Sequence, residues 1–331
     1  MLIITDDDAT AFRTKTTASQ LKSTMASPAP LIKAFSTDQF ELPLPQGHRF
    51  PMVKYRWLRE SLNALEQIEV CPPPAATDEQ LMLCHDADYV HQLCTGQLDG
   101  QAMKKIGFPW SEAMVERSRR SVGATLAACE QAYGSAPGVA FNLAGGTHHA
   151  HRNFGSGYCC FNDAAVACHW MQKNHAGLRV TIIDLDVHQG DGTATILAGH
   201  PNTLTCSIHG ASNFPFQKCE SDIDIALADG TTDADYLGAV HHLLERLDAL
   251  PRPDLLIYLA GVDPLESDKL GRLSISLAGL LERDRAVFTF ARARAIPIAV
   301  AMAGGYSDPI ELTVQAHRQT FEAAIQAYCL T

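Results

Sequence analysis

No apolar run in this chain approaches the roughly 18 residues that a membrane-crossing helix needs, so nothing in it reads as a span. Clustered positive charge is missing too. The 26 Lys and Arg are scattered among 37 Asp and Glu, and without a basic stripe there is nothing to neutralise a phosphate backbone, which argues against nucleic-acid binding. The first 30 residues lack the basic start and apolar stretch of a secretory signal and carry Asp6-Asp7-Asp8 among many Ser and Thr, so a cytoplasmic location is expected. No Cys-x-x-Cys pair occurs. The ten cysteines stand singly apart from Cys159-Cys160, which excludes a zinc ribbon and predicts reduced, mostly buried thiols rather than a disulfide framework.

What is present is the composition of an ordinary globular protein, 46% apolar over 331 residues and long enough to bury a large core. The formal charge of −11 suits cationic partners. Prolines at 28, 30, 43 and 45 keep the early chain extended, so residues 1–45 read as a polar extension and 46–331 as one compact domain. Val53, Trp57, Leu58, Leu62, Leu65 and Ile68 follow helical spacing over 52–68 until Pro72-Pro73-Pro74. Thr77 with Gln80 forms a capping box, and a long helix is predicted over 111–133. Beyond it, short apolar runs at 139–143, 180–185, 203–208, 255–260 and 298–302 alternate with helical patterns at 162–174, 233–249, 276–294 and 309–328. Strands without polar alternation are buried on both faces, so the spacing predicts an α/β fold: one open parallel sheet with helices on both sides.

In such a sheet the carboxyl ends of all strands lie along one edge, where ligands bind. Each predicted strand is followed there by polar residues: Gly145-Gly146-Thr147-His148-His149, then Asp184 to Gly192, His209-Gly210, Gly261-Val262-Asp263-Pro264 and Gly304-Gly305-Tyr306. Asp184 and Asp186 share a strand face and His188 continues the period of two. With Asp263 from another strand, Asp186 and His188 supply the oxygen and nitrogen donors of a divalent-metal site. Leu265, two residues beyond Asp263, denies the site a second bridging carboxylate, so one metal is expected rather than two. His148 and His149 read as acid/base groups. Asp184 and Asp191 are left over from the ligand set and are candidates to hold the distal imidazole nitrogens. Tyr306 offers a phenol to an oxyanion. His241-His242 lies within an amphipathic helix and reads as a solvated face.

These segments, with Gly155-Ser156-Gly157-Tyr158-Cys159-Cys160-Phe161-Asn162-Asp163, resemble the metal-dependent histone deacetylase superfamily, which includes acetoin-utilisation proteins and acetylpolyamine amidohydrolases. Gly47 to Met52, Gly107 to Trp110 and Asn213 to Phe216 are similar to its class IV branch and bacterial relatives. The resemblance runs from about residue 46 onward. It implies an arginase/deacetylase-like three-layer α/β/α fold and a zinc-dependent amidohydrolase acting on an N-acylated amine, most simply N6-acetyl-lysine in a protein or peptide. Acetylpolyamines, other small acylamines and long-chain acyl-lysine are the alternative substrates. It also implies Zn²⁺ on Asp186, His188 and Asp263, with Fe²⁺ or another divalent ion as a substitute. Asp184 would orient His148, Asp191 would orient His149, and Tyr306 would polarise the amide carbonyl. Gly157 and Tyr158 would line the acyl channel opposite Phe214, for which Phe216 is the alternative. A K⁺ ion would sit near Asp184, Asp186, His188, Ser207 and Ile208. Thr147 and Tyr158 replace residues more often aromatic and Phe, respectively, in the family.

Overall fold

A computed structural model describes residues 31–330. In chain order the elements are β1 (Ile32–Phe35), α1 (Val53–Leu62), β2 (Ile68–Cys71), α2 (Asp78–Leu81), α3 (Ala87–Thr95), α4 (Gly100–Ile106), α5 (Glu112–Gly134) and β3 (Val139–Asn142). Then follow α6 (Asp163–Asn174), β4 (Val180–Asp184), α7 (Asp191–Leu197), β5 (Thr203–Gly210), β6 (Ile223–Leu227), α8 (Asp233–Asp248), β7 (Leu255–Leu259), α9 (Leu277–Ala293), β8 (Ile298–Ala301) and α10 (Ile310–Tyr328). The eight strands form one parallel sheet in the order β2-β1-β3-β8-β7-β4-β5-β6.

Alternating strand residues feed two cores, which is why the apolar runs show no polar alternation. Phe141, Ile183, Leu256, Tyr258, Ile298 and Val300 pack on one face with residues of α1, α8, α9 and α10. Ala140, Ile182, Leu255, Ile257, Ala299 and Ala301 face the other way, toward α3, α5 and α6. The alanines of β3 and β8 leave room for α5, the longest helix, to lie close against the centre of the sheet. Side-chain caps fix where several helices begin. Thr77 and Gln80 form the expected capping box, and Ser111, Asn162 and Ser276 cap α5, α6 and α9.

The sheet begins earlier than the prolines predict. Ile32–Phe35 pairs with both β2 and β3, so the compact domain starts by residue 32 and not at 46; residues 1–30 of the expected extension lie outside the described residues. The helix expected over 52–68 stops at Leu62, and Ile68 opens β2 instead. The described cysteines are all free thiols, and His241 and His242 are exposed as expected. Among the described residues no helix is long and apolar enough to cross a membrane.

Candidate active site

The polar segments do converge at the carboxyl edge, and a second layer of polar residues shapes them. Gly146, at φ +66°, packs its bare Cα where a side chain would strike Ala303. The buried Asp163 carboxylate gathers this turn, accepting from the Gly146 and Thr147 main-chain N–H groups (3.1 and 2.7 Å) and from the Thr147 and Thr125 hydroxyls (2.7 and 2.6 Å). Asn162 donates to the carbonyls of His148 and Ala150 at 3.3 and 3.1 Å. Thr147 therefore serves as an anchor for the turn. Asn162 and Asp163 carried no role in the sequence, because the loop contact that defines their task joins segments that are adjacent only in space.

Held this way, His148 Nδ1 lies 2.6 Å from Asp184 Oδ2 and His149 Nδ1 lies 2.6 Å from Asp191 Oδ1. Each carboxylate can only accept, so Nδ1 carries the proton in both pairs and the Nε2 atoms are left for chemistry. The rings are 4.2 Å apart. Burial works against charge on His148, but the carboxylates of Asp184 and Asp186 outweigh it and lift its pKa to about 9. Burial and the neighbouring His148 push His149 down to about 4 against the pull of Asp191. The two imidazoles are thus pushed in opposite directions although their rings touch.

Asp186, His188 and Asp263 form the one group of three or more His, Cys, Asp or Glu residues, among those described, whose donor atoms could share a metal ion, all lying within 4.8 Å of one another. Asp186 is braced by the N–H groups of Gly304 and His188 at 2.9 and 3.0 Å, and Asp263 Oδ1 accepts from Val187 N–H at 2.8 Å. Asp263 Oδ2 is buried with no hydrogen-bond partner, 3.2 Å from His188 Nδ1. A buried carboxylate oxygen left unpaired where two carboxylates and an imidazole meet fits a divalent cation. A side chain on Gly304 would run into both the Asp263 and the Asp186 carboxylates, so glycine at that position keeps the triangle open.

Beneath this triangle lies Arg283, fully buried on α9. It donates to the carbonyl of Gly261 at 2.5 Å and approaches that of Leu185 at 3.5 Å, so it ties together the loops that carry Asp263 and Asp186. Asp284 balances its charge, held in turn by Tyr258 and Thr320 hydroxyls at 2.6 and 2.7 Å. Arg283→Met is expected to destabilise the protein by about 3–5 kcal/mol, because it leaves Asp284 buried without its counter-charge. Denaturant unfolding measures this, and a loss below about 1 kcal/mol, as for a surface pair, would contradict it.

Tyr306 faces the same cleft from the turn after β8. Its main-chain N–H donates to Asp268 Oδ2 at 2.6 Å, and Asp268 also accepts from Leu270 and Gly271. Lys54 Nζ donates to the Gly305 carbonyl at 3.2 Å and lies 5.0 Å from the Tyr306 ring. Burial drives the phenol pKa well above its ordinary value, so it is a proton donor at neutral pH. Neither Asp268 nor Lys54 stood out in the sequence: Asp268 lies in the loop after β7, and Lys54, in the first turn of α1, is far from Tyr306 along the chain.

The cleft has a volume of about 590 Å³, and His149, Gly157, Tyr158 and Phe214 are among its walls. Phe214 meets the His149 ring edge-on at 4.9 Å, whereas Phe216 is 84% exposed, which places Phe214 and not Phe216 opposite Gly157. Tyr158 sits among Phe50, Phe108 and Tyr306. Asp186 and Asp263 are the only carboxylate residues lining the cleft among those described, while Lys104, Lys105 and Arg272 stand exposed on its rim. Arg272 is paired there with the Asp229 carboxylate at 3.3 Å.

Along one edge of a parallel α/β sheet stand two Asp–His pairs, an Asp/His/Asp group that could hold a metal ion, and a tyrosine, a set of groups suited to hydrolytic chemistry. The chain belongs to the histone deacetylase family: the histone deacetylase domain matches residues 48–322. It is 40% identical over 289 residues to an uncharacterized protein of Picosynechococcus, covering 86% of this chain and 96% of the relative. Histone deacetylase 2 of Arabidopsis thaliana is 32% identical over 73% of this chain and 64% of its own length. Acetoin utilization protein AcuC of Bacillus subtilis is 29% identical, with 83% and 76% covered. Among solved structures, an HDAC homologue complexed with SAHA shares the fold at a TM-score of 0.75 and 24% identity, covering 90% of this chain and 88% of that one. The protein is thus a deacetylase-family hydrolase.

Proposed function

We propose that the protein hydrolyses N6-acyl-lysine, most simply N6-acetyl-lysine, in a peptide or protein. The observation that carries this reading is the placement of two Asp–His pairs, 4.2 Å apart at their rings, beside a metal triangle and across from a protonated tyrosine. Asp186, His188 and Asp263 would hold a divalent cation, zinc or Fe(II), which when bound would supply Lewis acidity and a lowered pKa for water. Nε2 of His149 takes the proton of the attacking water as the new C–O bond forms. It returns that proton to the amine nitrogen as the C–N bond breaks, giving carboxylate and free lysine. His148, held by Asp184, lies next to it and faces the site where negative charge develops. Tyr306 donates its O–H to the amide oxygen as that oxygen becomes anionic. Asp184 and Asp191 keep both imidazoles in the Nδ1–H tautomer, and Gly157, Tyr158 and Phe214 enclose the lysine methylenes. The family's monovalent K⁺ would lie near Asp184 and Ser207, which are neighbours across the β4–β5 ladder.

The rim favours peptides over polyamines. A cationic chain approaching the exposed Lys104 and Lys105 is repelled, while Arg272 on the same rim is paired with Asp229 at 3.3 Å. Acetyl-lysine peptides are expected to show kcat/KM at least about ten-fold above N-acetylated polyamines, a difference near 1.4 kcal/mol in transition-state binding. Comparing acetyl-lysine peptides, fatty-acyl peptides and acetylpolyamines side by side tests the reading. Faster turnover of the polyamine would reverse the substrate assignment, and no turnover of any acylamine with metal restored would remove it.

A further inference from the structure

Two residues beyond His149, a third imidazole uses the same carboxylate. His151 Nε2 lies 3.2 Å from Asp191 Oδ2, while His149 Nδ1 takes Oδ1 at 2.6 Å. Asp191 therefore stands between two imidazoles with each oxygen engaged. His151 is itself held firmly: its N–H donates to the Phe154 carbonyl at 2.9 Å, its carbonyl meets His85 Nδ1 at 2.9 Å, and its ring stacks on Phe154 at 4.3 Å. Its remaining nitrogen, Nδ1, is 2.9 Å from the Thr195 hydroxyl, which also reaches the Gly192 carbonyl at 3.0 Å.

We infer that His151 is a positioning residue for the hydrolytic step, acting through Asp191 to fix the orientation and the charge that His149 feels. A carboxylate tied by one oxygen can swing about its Cβ–Cγ bond, whereas one tied by both presents Oδ1 to His149 in a single geometry. The Nε2–H of His151 also draws charge off the carboxylate that His149 Nδ1–H meets. Thr195 suits this role in either state of His151. Facing a neutral ring its O–H donates to Nδ1; facing a charged ring it accepts from Nδ1–H and turns its own proton to the Gly192 carbonyl. The series also leads outward, with side-chain exposure rising from 6% at His149 through 9% at Asp191 to 14% at His151, and Thr195 is open to solvent. The Asp191 carboxyl agrees with double engagement: burial would raise its pKa, yet hydrogen bonds from His149 and His151 hold it well below the ordinary carboxylate range.

This inference rests on His149 being the proton-transfer group of amide hydrolysis, and two readouts separate it from that reading. In the metal-loaded enzyme, His151→Leu is expected to lower kcat on an acetyl-lysine peptide about ten-fold, at the low end of what outer partners of a reactive group contribute. KM should stay within about two-fold, and His151→Gln, whose amide N–H can replace Nε2–H, should recover most of the loss. Thr195→Val, which leaves the core untouched, should cause a smaller fall in kcat in the same direction. Independently of turnover, the downfield N–H proton of the His149–Asp191 hydrogen bond, assigned by its loss in Asp191→Asn, should shift in His151→Leu and return in His151→Gln. If Leu leaves both kcat and that resonance unchanged, or if Gln is as impaired as Leu, the positioning role is overturned. If the wild type turns over no acylamine while the resonance responds as described, the coupling stands and the hydrolytic reading falls.

Discussion

Tyr306→Phe is expected to lower turnover of an acetyl-lysine peptide by about 10² to 10³, the loss typical of one oxyanion donor, with little change in thermal stability. The backbone of the turn explains the second half of this expectation. Its anchors are the Tyr306 N–H on Asp268 and Lys54 on the Gly305 carbonyl, and neither involves the phenol oxygen. The loss should fall on kcat with KM nearly constant, because the hydroxyl matters most once the amide oxygen has become anionic. Near-normal turnover in a folded variant would remove Tyr306 from the reaction and leave the stabilisation of that oxygen to other groups.

Stripping the metal with a chelator is expected to cost more, at least about 10³ in rate, since several kcal/mol of charge stabilisation is lost and each 1.4 kcal/mol is a factor of ten. Stability should fall with it. A ligand present at about 1,000 times its Kd contributes roughly 4 kcal/mol to the folded state, and without a cation the unpaired Asp263 Oδ2 stays buried beside Asp186. Adding back Zn²⁺ or Fe²⁺ should restore both activity and melting temperature, and the ion that restores them best identifies the native choice. Full activity in protein shown by elemental analysis to hold no metal would defeat the assignment.

Much of this site was legible because the strands that carry it are apolar on both faces. Val139–Asn142, Val180–Asp184, Leu255–Leu259 and Ile298–Ala301 lie side by side in the interior of the sheet, so their runs are unmistakable and the polar residue that ends each one must lie on a common edge. The Asp186, His188 and Asp263 triangle follows from that edge, whereas the pairing of Asp184 with His148 and of Asp191 with His149 is what the family resemblance implies, and the structure brings those groups together. The strands that escaped notice are those toward the margins. β2 and β6 are edge strands with partly exposed residues, and β1 is four residues flanked by prolines, so none of them buries enough on its own to mark the sequence. The hidden members of the site, Asp163, Asp268, Lys54 and His151, owe their positions to helix starts and loops that meet only in space, which periodicity does not encode.

The strand order also constrains how the chain comes together. β8, the last strand made, does not add to an edge; it lies between β3 and β7. Without it the sheet would be two pieces, β2-β1-β3 and β7-β4-β5-β6, each with an open strand edge. Ile298–Ala301 closes both edges and leads into the turn whose Gly304 N–H meets Asp186 and whose Tyr306 lines the cleft. One strand thus joins the two parts of the sheet and completes the site, and a chain truncated before residue 298 would lack both.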